Sequence, residues 1–273
     1  MRIVGLGRGL FALAGAGIAI LSFTYRDFAP IWRPALAWLP SREYWVYGSA
    51  LIVLAASAGL CFSRTALMSA LTIGAYQALW AVIGTPPILS KPLSLGAWYG
   101  LCEALTSLVG AWILYSLLRW QLRRSERLIA SERTVRVAQV LFGLTCVFYG
   151  WSHFAYADYT ASMVPAWQSS RLGFAYLTGL GHIAAGIGIA VGILPRLAAT
   201  LEAIMVSLFG LLVWVPSFLA HPPPKWAGTP QNQWSELLVT LLLAASAWVV
   251  AASLQNRPWA ARPFSSQAPR SAP

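Results

Sequence analysis

Charge is what this chain of 273 residues has least of. Asp, Glu, Lys and Arg together make up 10% of it, where soluble domains carry about 25%. Hydrophobic residues supply 58% and mean hydropathy is +0.63. This shortage excludes a soluble enzyme, a nucleic-acid-binding domain and a disordered chain, and leaves a polytopic helical membrane protein. Acidic residues are scarcer still, eight against nineteen basic, for a net charge of +11. In a soluble protein that balance would point to nucleic acid. Here the arginines read as helix-end residues that orient the chain and meet anionic lipid. Lysine is limited to Lys91 and Lys225. Cysteine is limited to Cys61, Cys102 and Cys146, each alone in an apolar run. That excludes a disulfide framework and leaves three small hydrophobes. No HxxxH or HxxE pair, phosphate-binding loop, haem CxxCH or Ser/His/Asp order is present, so no metal ligand set is expected. The glycines from Gly181 to Gly188 sit in an apolar run and signal close helix packing.

What is present in abundance is long apolar runs. A spanning helix needs about 20 mostly apolar residues. Eight stretches qualify: 3–23, 44–63, 66–85, 98–118, 138–156, 173–194, 197–219 and 234–254. The first is too long for a signal-peptide core, because its apolar run continues to Phe23. The segment from Gln255, rich in Pro, Ser and Arg, reads as an unstructured tail. The fold class is therefore all-α, with eight transmembrane helices arranged as two fused four-helix bundles. The units are 1–120, an Arg-rich linker at 121–136, 137–254 and the tail at 255–273.

Eight spans put both termini on one side. That side collects thirteen basic residues, among them Arg2, Arg8, Arg64, Arg123, Arg124, Arg127, Arg133, Arg196, Arg262 and Arg270, against six on the other, including Arg33. The positive-inside rule then assigns the termini to the cytoplasm and the protein to the cytoplasmic (inner) membrane. Trp45, Trp98, Trp214 and Trp234 mark the outer boundary. The outer loops carry Pro30-Ile31-Trp32-Arg33-Pro34 and Val164-Pro165-Ala166-Trp167, a mixture suited to the interface. The linker either forms an amphipathic surface helix or stays a solvated charged segment.

The two halves match at a nearly constant offset. Leu10-Phe11 matches Leu141-Phe142, Phe23 matches Phe154, Asp27 matches Asp158 and Gly48 matches Gly179, all at 131. Arg64 and Arg196 lie 132 apart, Pro86 and Pro216 lie 130 apart, and Glu103 and Glu236 lie 133 apart. Seven landmarks within two residues of one offset indicate a duplicated four-helix unit. Its copies share one topology, because each holds an even number of spans.

The second half runs Gly150-Trp151-Ser152-His153-Phe154, Val164-Pro165-Ala166-Trp167, Leu177-Thr178-Gly179, Gly186-Ile187-Gly188 and Pro195-Arg196-Leu197-Ala198-Ala199. Over about 134–254 it resembles the DoxX-like family of four-helix bacterial membrane proteins. The first half resembles it only through the repeat. Some members of that family are associated with membrane oxidoreductases, including a thiosulfate:quinone system. The resemblance therefore implies partner oxidoreductase subunits, and a quinone as the ligand to consider, with no intrinsic cofactor. One position departs: family members commonly carry an acidic residue shortly after the Thr-Gly of the second helix, where this chain has His182.

Ionisable residues within spans are costly and mark candidate sites. His182 lies about 15 Å from the outer end of its span, near the midplane. It either bonds a neighbouring helix or binds a ligand. Glu103 lies about 9 Å deep and has the same two readings. Glu236 opens the last span, where a carboxylate also suits a helix N-terminus. Glu202 is expected to pair with Arg196 or Arg136. His153, His221, Asp158, Arg171 and Glu236 are expected to gather as a polar outer mouth above His182. The candidate ligand residues are thus His182, His153, Glu236, His221 and Glu103. Three functions follow as expectations: a subunit binding a lipophilic or redox-active molecule such as a quinone, a small-solute permease or channel, or a scaffold for a membrane redox complex. Whether the chain catalyses a reaction itself stays open.

Overall fold

The computed structural model describes residues 2–28, 36–122 and 130–260. The Pro30–Pro34 loop with Arg33, residues 123–129 of the Arg-rich linker, and Arg262 and Arg270 of the tail lie outside the described residues. Among those described, every regular element is helical. Eight helices are long and apolar enough to cross a membrane, as the composition requires. They are α1 (Arg2–Tyr25), α2 (Arg42–Cys61), α3 (Ala66–Ile83) continued by α4 (Thr85–Ser90), α5 (Leu95–Gln121), α6 (Glu132–Ala155), α8 (Arg171–Val191), α9 (Pro195–Phe209) continued by α10 (Val215–Leu219), and α11 (Pro230–Ser253). The short α7 (Ala157–Met163) lies in the loop after α6.

Helix ends follow local chemistry. Ser131 caps α6 by accepting from the Thr134 amide, and Thr229 caps α11 by accepting from the Asn232 amide, with Pro230 in the first turn. Such caps satisfy amides that a helix N-terminus leaves without partners. At the end of α8, Gly192 adopts φ 81° and stops the helix; Leu194 follows at φ 47°, and Pro195 starts α9. Prolines also interrupt the third span of each half: α3 gives way to α4 at Thr85-Pro86, and α9 passes through a π-helical turn at Gly210–Trp214 before Pro216. A proline removes one backbone donor from the ladder.

Neighbour relations are the same in both halves. α1 packs on α2, α2 on α3 and α3 on α5; likewise α6 packs on α8, α8 on α9 and α9 on α11. The halves are interleaved rather than set side by side. α5 packs on α6, α11 on α1, and α5 and α11 touch each other at the centre. By contrast, α1 and α5, the ends of the first half, barely meet. The two halves therefore share a single core, in which the last helix of each half covers the other.

The tightest of these contacts is α6 on α8. A Cβ on Gly143 would lie 2.5 Å from the Gly186 carbonyl oxygen, and one on Gly150 would lie 2.5 Å from that of Gly179. Each pair of glycines is seven residues apart, two helical turns, so each presents one face. In both crossing pairs the residue numbers rise on one helix as they fall on the other, as antiparallel packing demands. Arginine closes the other end of each hairpin. Arg8 of α1 donates to the Leu60 carbonyl of α2, and Arg136 of α6 donates to the Ile189 and Ala190 carbonyls of α8 at 2.8 and 2.6 Å. Cations suit the negative end of a helix. In the first loop, Arg42 bonds Asp27.

Candidate functional site

The deepest polar feature arises from the α8–α9 hairpin. His182 and Glu202 each stand ten residues from Gly192 at the turn. In an antiparallel hairpin, equal distance from the turn means equal depth. The two side chains meet there: His182 Nδ1 donates to Glu202 Oε1 at 2.7 Å, and both residues are buried (3% and 2% exposed). This overturns the pairing of Glu202 with an arginine. Arg136 is engaged by the α8 carbonyls, and Arg196 lies over the Trp259 ring at 4.0 Å. His182 lies about 16 Å along α8, midway through the span.

His153, one span earlier, stands edge-on to His182 with ring centroids 5.1 Å apart. Its Nδ1 faces the Ala175 carbonyl at 3.3 Å and Thr178 Oγ1 at 3.0 Å. Phe209, the last α-helical residue before the π turn, covers both imidazoles at centroid distances of 6.0 and 5.7 Å. A π turn inside an α-helix often marks a functional position. Tyr149 lies one turn below His153 on α6 and is hydrogen-bonded to Thr106 at 3.0 Å.

These groups line a cavity of about 130 Å³. Glu103 and Thr106 reach its wall from α5, in the first half of the chain; Cys146 and Phe142 reach it from α6, and Thr240 from α11. Two buried carboxylate oxygens in the wall, Glu103 Oε2 and Glu202 Oε2, have no hydrogen-bond partner. The Cys146 thiol, a weak donor, lies beside the Glu202 carboxyl.

Three of the five candidates, His182, His153 and Glu103, thus share one wall. Glu236 is close enough to Glu103 for their charges to interact but is not in the wall. It is the seventh residue of α11, past the first turn, and Thr229 is the cap; the capping reading of Glu236 fails because the helix starts four residues earlier than its apolar run. Outside the spans, burial and then the Glu236 charge push the Tyr159 phenol of α7 above its ordinary value, so the carboxyl lies within reach of the α7 loop. His221 is exposed beyond α10, its Nδ1 on the Leu219 carbonyl, and does not join the site. Sequence reasoning passed over Glu202, Tyr149, Tyr99 and Thr106 as wall residues. For Glu202 the equal spacing about Gly192 was a usable signal. The other three look like ordinary span residues until the helices are placed.

The first half holds a far smaller void, about 10 Å³, in the equivalent place. Phe11, Gly15 and Ile18 line it where Phe142, Cys146 and Tyr149 line the larger one, each pair 131 apart. In α2 the buried face runs through Val46, Ala50, Val53 and Ser57. That face aligns with α8 at an offset of 132, so Ala50 occupies the place of His182, and lipid-facing Leu51 does not. At the same offset Ala70 stands for Glu202. The first half has alanines where the second has its ionisable pair. Among the described residues no group of three or more His, Cys, Asp or Glu is gathered as a metal would need. Comparison with family models, curated proteins and solved structures finds no match to this chain.

Proposed function

We propose that the protein is a ligand-binding subunit of the cytoplasmic membrane, DoxX-like and duplicated, with both termini in the cytoplasm, and that its second half holds a small lipophilic ring such as a quinone. The observation that carries this reading is the mid-span cavity with the His182–Glu202 pair in its wall. A cavity of about 150 Å³ holds a benzene ring, so 130 Å³ is of the size class of a single-ring ligand. Tyr99, Phe142, Tyr149 and Phe209 supply ring-shaped apolar wall, and the polar groups fix orientation. On this reading electrons come from a partner oxidoreductase subunit, and the chain itself binds, orients and shields the ring.

The test is His182→Asn. The asparagine amide can keep the donor to Glu202 while the rest of the imidazole is lost. The variant should remain folded in detergent and lose at least tenfold in affinity for tetramethylbenzoquinone by equilibrium dialysis. Unchanged affinity overturns the reading. A second reading, a small-solute permease, draws on the equivalent void in the first half. It requires single cysteines along α2 and α8 to be labelled from both membrane faces, and labelling from one face alone excludes it.

A further inference from the structure

We infer that the cavity is built for a ligand that donates hydrogen bonds, so that within a quinone couple it holds the dihydroxy ring in preference to the oxidised one; this rests on the ring-binding reading above.

The inference comes from matching donors to acceptors around the wall. Thr106, Thr145 and Tyr149 form one hydroxyl cluster, with Thr106 2.9 Å from Thr145 and 3.0 Å from Tyr149. The cluster is anchored on the Cys102 and Phe142 carbonyls, each at 2.8 Å. Three hydroxyl hydrogens are shared among these oxygens and none is left for a ligand. Ser152 donates to the Tyr149 carbonyl at 2.7 Å, and the Tyr99 hydroxyl reaches Ser152. A carbonyl can only accept, so the contact of His153 Nδ1 with Ala175 places the ring proton there and leaves Nε2 an acceptor. His182 likewise uses Nδ1 on Glu202, and in that Nδ1–H tautomer Nε2 is an acceptor.

The acceptors, by contrast, are in surplus. Glu103 Oε2 and Glu202 Oε2 are buried without a partner. No lysine or arginine is in the wall. The Cys146 thiol is spent on the Glu202 carboxyl, so the donors that remain are the Thr240 hydroxyl and the single acid proton that Glu103 carries when neutral, against a larger set of acceptors on Glu103, Glu202, His153 and His182. A buried acceptor left without a donor is costly, so the occupant that stabilises this cavity brings donors with it. An oxidised quinone has two carbonyl oxygens and no donor. Its reduced partner has two hydroxyls on opposite sides of one ring. The two orphan oxygens also sit on different helices from different halves of the chain: Glu103 on α5 and Glu202 on α9.

The experiment is equilibrium dialysis of the full chain in detergent, under nitrogen, with three ring-sized probes: tetramethylhydroquinone, tetramethylbenzoquinone and the dimethyl ether of the former. Substituted ring carbons keep the quinone from alkylating exposed Cys61. The hydroquinone should bind at least tenfold more tightly than either of the others. Glu103→Gln replaces the carboxyl with an amide that has two donor hydrogens and one acceptor oxygen, and should reduce that ratio to threefold or less. Equal or tighter binding of the quinone by the unaltered protein overturns the inference and leaves the ring-binding reading in place. Binding of none of the three overturns both. A hydroquinone preference that survives undiminished in Glu103→Gln overturns the assignment of Glu103 as a ligand acceptor. Should that variant not fold, the three-probe comparison on the unaltered protein decides alone.

Discussion

At the scale of single residues, the deepest polar feature is a buried imidazole–carboxyl pair. Removing one partner of a buried pair leaves the other uncompensated, at a cost of about 3–5 kcal/mol. His182→Ala should therefore lower the thermal midpoint sharply, whereas the double change to Ala at 182 and 202 should recover most of the loss, since the first half already carries Ala50 and Ala70 in those places. Thermal unfolding of the three variants in detergent checks this; a double variant no more stable than His182→Ala would show that the pair is not energetically linked. His182, His153 and Glu103 were legible in the sequence because an ionisable group inside an apolar run is costly wherever the helix points. Glu202 was legible as an oddity but not as a partner. The arginines expected to pair with it, Arg136 and Arg196, lie toward the helix ends, and they are held by carbonyls and by an indole ring.

At the scale of elements, the α6–α8 crossing sets the width of the cavity. A Cβ at Gly186 would lie 2.4 Å from the Gly143 carbonyl oxygen, an obstacle that cannot rotate away. Gly186→Val should push the helices apart, cost about 1–3 kcal/mol or more and weaken ligand binding. Gly9 has nothing within 4 Å of its missing Cβ, so Gly9→Ala should leave stability unchanged or raise it by about 0.5–1 kcal/mol. Thermal scans of the two variants side by side test the contrast, and equal effects would contradict it. The glycine content of the second half was visible in the sequence, and it implied close packing. Which glycines meet was not, because that depends on the rotation of each helix. An offset of 131 places Leu51 opposite His182, whereas the buried face of α2 passes through Ala50.

At the scale of the whole molecule, the halves exchange their last helices. α5, from the first half, supplies Glu103 and Thr106 to the second-half cavity, while Leu242 of α11 reaches the first-half void. Residues 1–122 and 130–273, expressed as separate chains in one cell, should therefore purify together in detergent, and the second piece expressed by itself should lose the proposed ring-binding site. Eight spans also require both ends on one face. Fluorescent-protein fusions at either terminus should both fluoresce, as cytoplasmic fusions do, and fusions after Ser41 or Leu93 should not.

Hydropathy alone determined that this chain lies in a membrane, how many times it crosses and where each crossing begins and ends to within a few residues, because an apolar run of that length has no other stable surroundings. It also singled out the few ionisable side chains worth explaining. What only the tertiary structure decided is who faces whom: that His182 meets Glu202, that His221 stands apart, and that a carboxyl from one half completes the cavity of the other. Lipid rewards any apolar face equally, so hydropathy carries no information about helix rotation or neighbour order; those are set by small residues that let backbones touch and by polar groups that must find each other.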